Sequence, residues 1–157
     1  MEKTILGDRD ESASPEGGQW FSIDCIAGIA VTSEAPDAPV ESILDPNNHT
    51  GWRAGTTGTQ LIRITFDAPK TIRRIQLAFG EQQLERTQEF TLNWSTGPGD
   101  NRTEIVRQQW TFSPQGSTSE FEDYRVNLKD VLIVELTINP DISHGPVHAS
   151  LLSLRLG

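Results

Sequence analysis

The sequence predicts an all-β domain built as an antiparallel β-sandwich. Short stretches of alternating apolar and polar residues recur along the chain, and turn-forming Gly, Pro, Asn and Asp separate nearly all of them. No long stretch has the spacing of an amphipathic helix. These observations favour a sandwich over a parallel α/β sheet, in which helices alternate with strands. At 157 residues the chain is long enough for one such domain around one core.

The chain divides into a short lead-in and one domain. Residues 1–18 are charged, then small and polar, which predicts a flexible N-terminal lead-in before a domain over residues 19–157. The first strand region starts at Phe21 and resumes after a break at Ala27-Gly28, as a strand with a bulge does. Between Val40 and Leu44 the apolar spacing predicts about one helical turn.

The remaining alternating sets each predict a strand with one buried face. In chain order they are Ile62/Ile64/Phe66, Ile75/Leu77/Phe79, Phe90/Leu92/Trp94, Val106/Gln108/Trp110/Phe112, Tyr124/Val126/Leu128, Val134/Leu136/Ile138 and Leu152/Leu154/Leu156. Asp67–Lys70 is predicted to turn the chain between the first two sets. Gln108 is either a buried, hydrogen-bonded residue or part of a binding face, and its aromatic neighbours favour burial.

Charge and cysteine content bound the partners. The formal net charge of −9 repels phosphate backbones and anionic lipid, so neither nucleic acid nor a membrane surface is expected as a partner. The single cysteine, Cys25, cannot form an internal disulfide. No signal peptide and no membrane-spanning apolar run is evident, which predicts a cytoplasmic protein. Oligomeric state cannot be inferred from the sequence.

The order of these features resembles the discoidin, or coagulation factor 5/8 type C, superfamily of galactose-binding-like jelly rolls. Within it, the chain is similar to bacterial carbohydrate-binding modules. The segments that carry the resemblance are Thr32–Glu34, Val40–Asp45, Gly51–Ala54, Gln60–Phe66, Ile72–Leu77, Phe90–Ser95 and Ala149–Arg155. The resemblance implies a jelly-roll sandwich that binds ligand through two loops at one end. In this chain those loops are residues 45–58 and 80–87.

These two loops supply the candidate ligand-binding residues. They are Asn47, His49, Trp52 and Arg53 in the first loop, and Glu81, Gln82, Gln83 and Arg86 in the second. Aromatic faces suit the C–H face of a sugar ring, and planar polar groups suit its hydroxyls. Two structural alternatives stay open. Trp52 is also suited to cover the sandwich core, and Arg86 to pair with Glu85 or Glu89 at the surface.

The resemblance also implies a metal, because many members hold a structural calcium ion in the first loop. Asp45 and Asn48 are the candidate ligands, since calcium prefers oxygen donors. The late Glu that completes such sites is replaced near Ser150 and Leu151, and a simple turn at Asp45 explains the same residues. No cofactor is otherwise expected. His144 and His148 flank Pro146 as a weak candidate zinc pair.

The function predicted from these features is a non-catalytic binding module with carbohydrate as its ligand. The sequence contains no nucleophile elbow, zinc-protease motif or phosphate-binding loop, so no enzyme activity is expected. An intracellular protein-interaction module on the same fold is the alternative. The missing leader and single cysteine favour that alternative.

Overall fold

The computed structural model describes residues 20–99 and 101–157, so the predicted lead-in over residues 1–18 lies outside the described residues. Short 3-10 turns form at Ile23–Cys25 and Val40–Leu44. The strands in this part of the chain are β1 Ile26–Val31, β2 Trp52–Thr57, β3 Gln60–Gly80, β4 Arg86–Ser95, β5 Thr103–Phe112, β6 Ser119–Asn139, β7 His148–Leu151 and β8 Ser153–Leu156.

The long strands β3 and β6 organise the sandwich, because each contributes to both layers. The first half of β3 pairs with β1 and with the second half of β6, in a sheet of order β1-β3-β6-β4-β5. The second half of β3 pairs with β8 and with the first half of β6. Between the halves the register is irregular from Thr65 to Arg74. The predicted turn at Asp67–Lys70 is therefore a bend within one strand, and the small sheet of β2 and β7 completes the fold.

The core lies between the layers and is filled mainly by side chains predicted to face inward, although Val106, Tyr124 and Leu128 pack against it only partly buried. Its largest fully buried members include Trp52, Phe66, Phe79, Phe90 and Phe112. Phe79 of β3 stacks on Phe90 of β4 with ring centroids 5.3 Å apart, which joins the two layers. Each such side chain stabilises the fold by about 1.5–3 kcal/mol through burial of apolar surface. An antiparallel β-sandwich is confirmed.

The structure differs from the prediction in three details. The first strand begins at Ile26 instead of Phe21, because Ile23–Cys25 form a 3-10 turn whose first turn is capped by the Ser22 hydroxyl. The bulge is confirmed as a register shift between Ile26 and Gly28. Strand β2 was missed in the sequence, and Leu152 does not share the inward face of Leu154, because the chain bends there between β7 and β8.

Gln108 takes the structural role that its neighbours favoured. It is half-buried on the face of β5 that also carries Trp110 and Phe112. The Tyr124 hydroxyl donates a hydrogen bond to its Oε1 at 3.4 Å.

The two ends of the sandwich have different character. At the end we call the bend end, β3 and β6 cross between the layers near Asp67–Lys70 and near Asp130, which adopts a positive φ of 60°. At the other end, called the loop end, β3 begins at Gln60 and finishes at Gly80.

Within residues 20–99 and 101–157, no helix is long and apolar enough to cross a membrane.

Candidate functional site

Both predicted loops reach the loop end, and they meet at Leu152. A Cβ atom added to Gly51 would lie 2.7 Å from the Leu152 Cα, and one added to Gly80 would lie 3.3 Å from the Leu152 Cδ1. The Leu152 amide donates to the Ala78 carbonyl at 2.8 Å, which fixes this residue against the end of β3. The two segments are thus held on either side of one side chain.

The first loop is a series of turns stabilised by its own side chains. Asp45 Oδ1 accepts the Asn47 amide at 2.9 Å. Asn48 Oδ1 accepts three donors, the Thr50 amide at 2.8 Å, the Thr50 hydroxyl at 2.8 Å and the Gly51 amide at 3.1 Å. This pattern leaves Asn47 and His49 exposed at the loop end.

Calcium binding was predicted for the same loop, at Asp45 and Asn48. Three hydrogen-bond donors converge on the Asn48 oxygen, which is the opposite of the surroundings that a cation requires. Among the described residues, no group of three or more His, Cys, Asp or Glu side chains is arranged to hold a metal ion. Calcium binding therefore stays a prediction that this loop geometry does not support.

The prediction that Trp52 contacts a ligand is wrong. Its side chain is fully buried in the core, and its indole nitrogen donates to the Ser33 carbonyl at 2.9 Å. The alternative interpretation, that Trp52 covers the core, is the one observed. The neighbouring Arg53 is exposed, with an ion pair to Asp37 at 3.5 Å.

The second loop is organised by an ion pair between the buried Arg86 and the partly buried Glu81. Glu81 accepts the amides of Gln83 and Leu84 at 3.0 and 3.1 Å with one carboxylate oxygen, and Arg86 Nε at 2.8 Å with the other. Gln82 and Gln83 are exposed beyond this turn. Burial raises the pKa of Glu81, but these amide and guanidinium hydrogen bonds outweigh it, so the pKa lies below its ordinary value.

Arg86 is the second predicted ligand residue that the structure places out of reach. Only 4% of the residue is exposed, its guanidinium lies over the Phe112 ring at 4.8 Å, and its partner is Glu81, in place of the predicted Glu85 or Glu89. Arg86 Nη1 also donates to the Pro140 carbonyl at 2.7 Å. The residue therefore joins the second loop to a third segment, residues 139–147.

This third segment lines a cavity of about 320 Å³ that the sequence did not indicate. Across the cavity from it lies the β2–β3 turn at Thr57–Thr59. Asp141 shapes the segment by accepting the Ser143 and Gly145 amides, and the exposed His144 has a positive φ of 64°. Of the residues in and next to this segment, the sequence analysis had named only His144 and His148, as a candidate zinc pair. The ring Nδ1 of His148 lies 3.0 Å from the Ala54 carbonyl.

Exposed apolar side chains concentrate at the same end. Leu84, Ile142 and Leu152 are 47%, 37% and 37% exposed, and only Ile23 and Phe121 join them as exposed large apolar residues in the described part of the chain. The Ile142 amide donates to the Thr87 carbonyl at 2.9 Å, which places it beside Arg86. Aliphatic side chains beside exposed amides offer both the apolar and the hydrogen-bonding contacts that a sugar ring can use.

Known proteins that are similar to this chain are found among solved structures. No protein-family model and no curated protein matches the sequence. Among solved structures, a family 32 carbohydrate-binding module of AlyQ, in complex with 4,5-unsaturated mannuronic acid, is similar with a TM-score of 0.60. It is 18% identical, and the match covers 84% of this chain and 95% of that one.

Two further modules come from Clostridium perfringens. The third family 32 module of a family 31 glycoside hydrolase matches with a TM-score of 0.64 at 17% identity, over 87% of this chain and 93% of that one. The family 32 module of NanJ, solved with galactose, matches with a TM-score of 0.54 at 14% identity, over 82% and 91%. The jelly-roll sandwich expected from the resemblance is confirmed, and the chain has the galactose-binding-like fold of these modules.

Proposed function

We propose that this protein is a non-catalytic carbohydrate-binding module that binds its sugar at the loop end. The observation that carries the proposal is the grouping there of exposed aliphatic side chains, Leu84, Ile142 and Leu152, with exposed polar ones such as His49 and Gln82. The modules with the same fold support it, since one was solved with galactose and another with an unsaturated mannuronic acid.

Two carboxylates at this end, Glu81 and Asp141, favour binding over catalysis. Glu81 accepts three hydrogen bonds from its own loop and Arg86, and Asp141 accepts two backbone amides. Both are engaged in holding loops, whereas a general acid or base must be free to exchange a proton with substrate.

Charge favours a neutral sugar over an acidic one. The chain carries a net charge of −9, and Arg86, which is buried at the loop end, is neutralised by Glu81. A uronic acid would therefore bring a negative charge toward Glu81 and Asp141, where Arg86 is already paired with Glu81 and the exposed Arg53 of the first loop already faces Asp37.

The test is a titration of isotope-labelled protein with galactose, N-acetylgalactosamine and galacturonic acid, followed by NMR. We expect saturable shifts in residues 47–51, 81–86 and 139–145, with the neutral sugars binding more tightly. Ile142→Ser should weaken binding about 5- to 10-fold through loss of apolar contact, whereas Lys129→Ala at the bend end should not change it. No saturable shift with any sugar, or shifts confined to the bend end, would overturn the proposal.

A further inference from the structure

A buried network of hydrogen-bonded polar side chains, here called the polar network, extends from between the layers to the loop end. Gln88 Nε2 donates to Glu120 Oε1 at 3.0 Å, and Arg86 Nη1 donates to Gln88 Oε1 at 3.4 Å. Arg86 in turn holds Glu81 and the Pro140 carbonyl. Glu120, Gln88 and Arg86 are 1%, 0% and 4% exposed. The interior of the sandwich is thereby linked to the second loop and to residues 139–147, which both lie beside the proposed sugar site.

The polar network ends between the layers at Glu120, a buried carboxyl group with an unsatisfied oxygen. Glu120 Oε2 has no hydrogen-bond partner among the described residues. Glu122 lies two residues along the same strand, so its side chain is on the same face. Two ionised carboxylates cannot hydrogen-bond to each other. A proton on Glu120 converts its carboxyl group into a donor, for which the Glu122 carboxylate is an acceptor.

No cation in the described contacts compensates a charge on Glu120. On β6 it is flanked by Glu122 and Tyr124, on β3 its register partner is the apolar Phe79, and on β4 it meets the neutral Gln88. Arg86, which follows Gln88 in the polar network, is paired with Glu81. Burial, and then the neighbouring Glu122, raise the pKa of Glu120 to about 8, although the hydrogen bond from Gln88 lowers it in part. Burial and both glutamates also raise the pKa of Tyr124, so this phenol stays neutral.

We propose that Glu120 is a positioning residue of the loop end that works as a neutral carboxylic acid, and that its ionisation at alkaline pH rearranges the Arg86 contacts and weakens sugar binding. Ionisation places an unpaired negative charge beside Glu122 in a site that excludes water. Relief of that repulsion requires either entry of water between the layers or movement of the Arg86 guanidinium toward Glu120. Both changes disturb the hydrogen bonds by which Arg86 holds residues 81–85 and 139–147.

The inference rests on the proposed function only for its sugar measurement, so a sugar-free measurement is the primary test. Methyl NMR signals of Leu84 and Ile142 report on the second loop and on residues 139–147, respectively, and stay observable at alkaline pH. In the natural protein we expect both signals to shift with a midpoint near the Glu120 pKa of about 8. Glu120→Gln keeps the acceptor and a donor but cannot ionise, so its signals should stay constant. Glu104→Gln, at an exposed carboxylate of β5, should behave as the natural protein.

Unfolding measurements give a second readout with a defined sign. Because the pKa of Glu120 is raised in the folded state, folding takes up a proton between its ordinary value of 4.5 and about 8. The denaturation midpoint of the natural protein should therefore fall relative to that of Glu120→Gln across this range, and the gap should level off above it. Equal pH dependence in the two proteins, or an unshifted methyl spectrum in the natural one, would overturn the inference.

The sugar arm separates this inference from the proposed function. With galactose, the natural protein should lose affinity several-fold between pH 7 and pH 9, while Glu120→Gln keeps its affinity. If no sugar binds at any pH, the proposed function fails, and the methyl and unfolding measurements still decide the role of Glu120. If sugar binds with the same pH dependence in both proteins, Glu120 does not position the site.

Discussion

The two loops that flank Leu152 are held by different means. Residues 45–51 are shaped by hydrogen bonds that span two or three positions in sequence, from Asp45 and Asn48 to the amides that follow them. Residues 81–85 also form a local turn around Glu81, but that carboxylate is fixed by Arg86, which is fixed in turn by Gln88 and by Pro140, 54 positions away. One loop is stabilised locally and the other through the core.

This difference predicts how each loop responds to change elsewhere. Local Asx-type turns form from adjacent residues, so the first loop should keep its shape when the core around β4 and β6 is perturbed. The second loop should not, because its Glu81 is held by the buried Arg86, and loss of one member of a buried hydrogen-bonded network takes a partner from each of its neighbours. A ligand that contacts both loops would thus be bound by one fixed surface and one that depends on the interior.

Removal of Arg86 should have the largest effect. Arg86→Met retains much of the apolar stem but removes one hydrogen-bond donor each from Glu81, Gln88 and the Pro140 carbonyl, and it leaves the charge of Glu81 without a counter-ion. We expect a loss of about 3–5 kcal/mol in the free energy of unfolding, since breaking a buried pair leaves an uncompensated charge. NMR shifts should spread over residues 81–85 and 139–147 and spare residues 45–51. Denaturant unfolding and amide spectra measure both.

A double variant provides the control for that effect. Arg86→Met combined with Glu81→Gln removes the orphaned charge, so it should recover part of the lost stability. If the double variant is as unstable as the sum of the two single ones, Arg86 stabilises the fold through packing on Phe112 alone, and the contrast between the loops disappears.

The next effect tests a long-range constraint on the first loop, the close approach of Gly51 to Leu151. Gly51 has a φ of 70°, and an added Cβ would lie 2.4 Å from the Leu151 carbonyl oxygen. Gly51→Ala should therefore cost about 2–3 kcal/mol, from the left-handed backbone and from displacement of the β7–β8 bend. Gly58→Ala is the matched control, because Gly58 has a φ of 90° with open space around it. It should lose only about 1 kcal/mol, and equal losses at both sites would show that the close approach to Leu151 is unimportant.

The sequence predicted the fold well where short-range pattern decides it. Alternation of Ile62, Ile64 and Phe66, and of Ile75, Leu77 and Phe79, identified inward faces that the structure confirms. Alternation could not reveal that both sets belong to one strand, because the bend at Asp67–Lys70 has the composition of a turn. Strand β2 was missed because Trp52–Thr57 contains a Gly, directly follows a turn-forming loop and buries only Trp52 and Ala54.

The site was predicted less well, because exposure is a tertiary property. Trp52 and Arg86 have the chemistry of ligand contacts, yet the core surrounds both. The partner of Arg86 could not be found from spacing, since Glu81, Glu85 and Glu89 all lie within reach in sequence. The 139–147 segment is brought to the loop end only by the pairing of β6 with β3 and β4. Residues 45–51 were the part most readable in advance, in keeping with their local hydrogen bonds.

The smallest effect should come from Asn48, and it completes the contrast. Asn48→Ala removes the oxygen that accepts the Thr50 and Gly51 amides, which should cost about 1 kcal/mol, as loss of a capping side chain does. Asn48→Asp keeps that acceptor and should restore most of the stability, while Asn47→Ala, at an exposed side chain, should leave it unchanged. Spectral changes should stay within residues 45–51. If they extend to residues 81–85, the first loop is also coupled through the core, and the two loops respond as one unit.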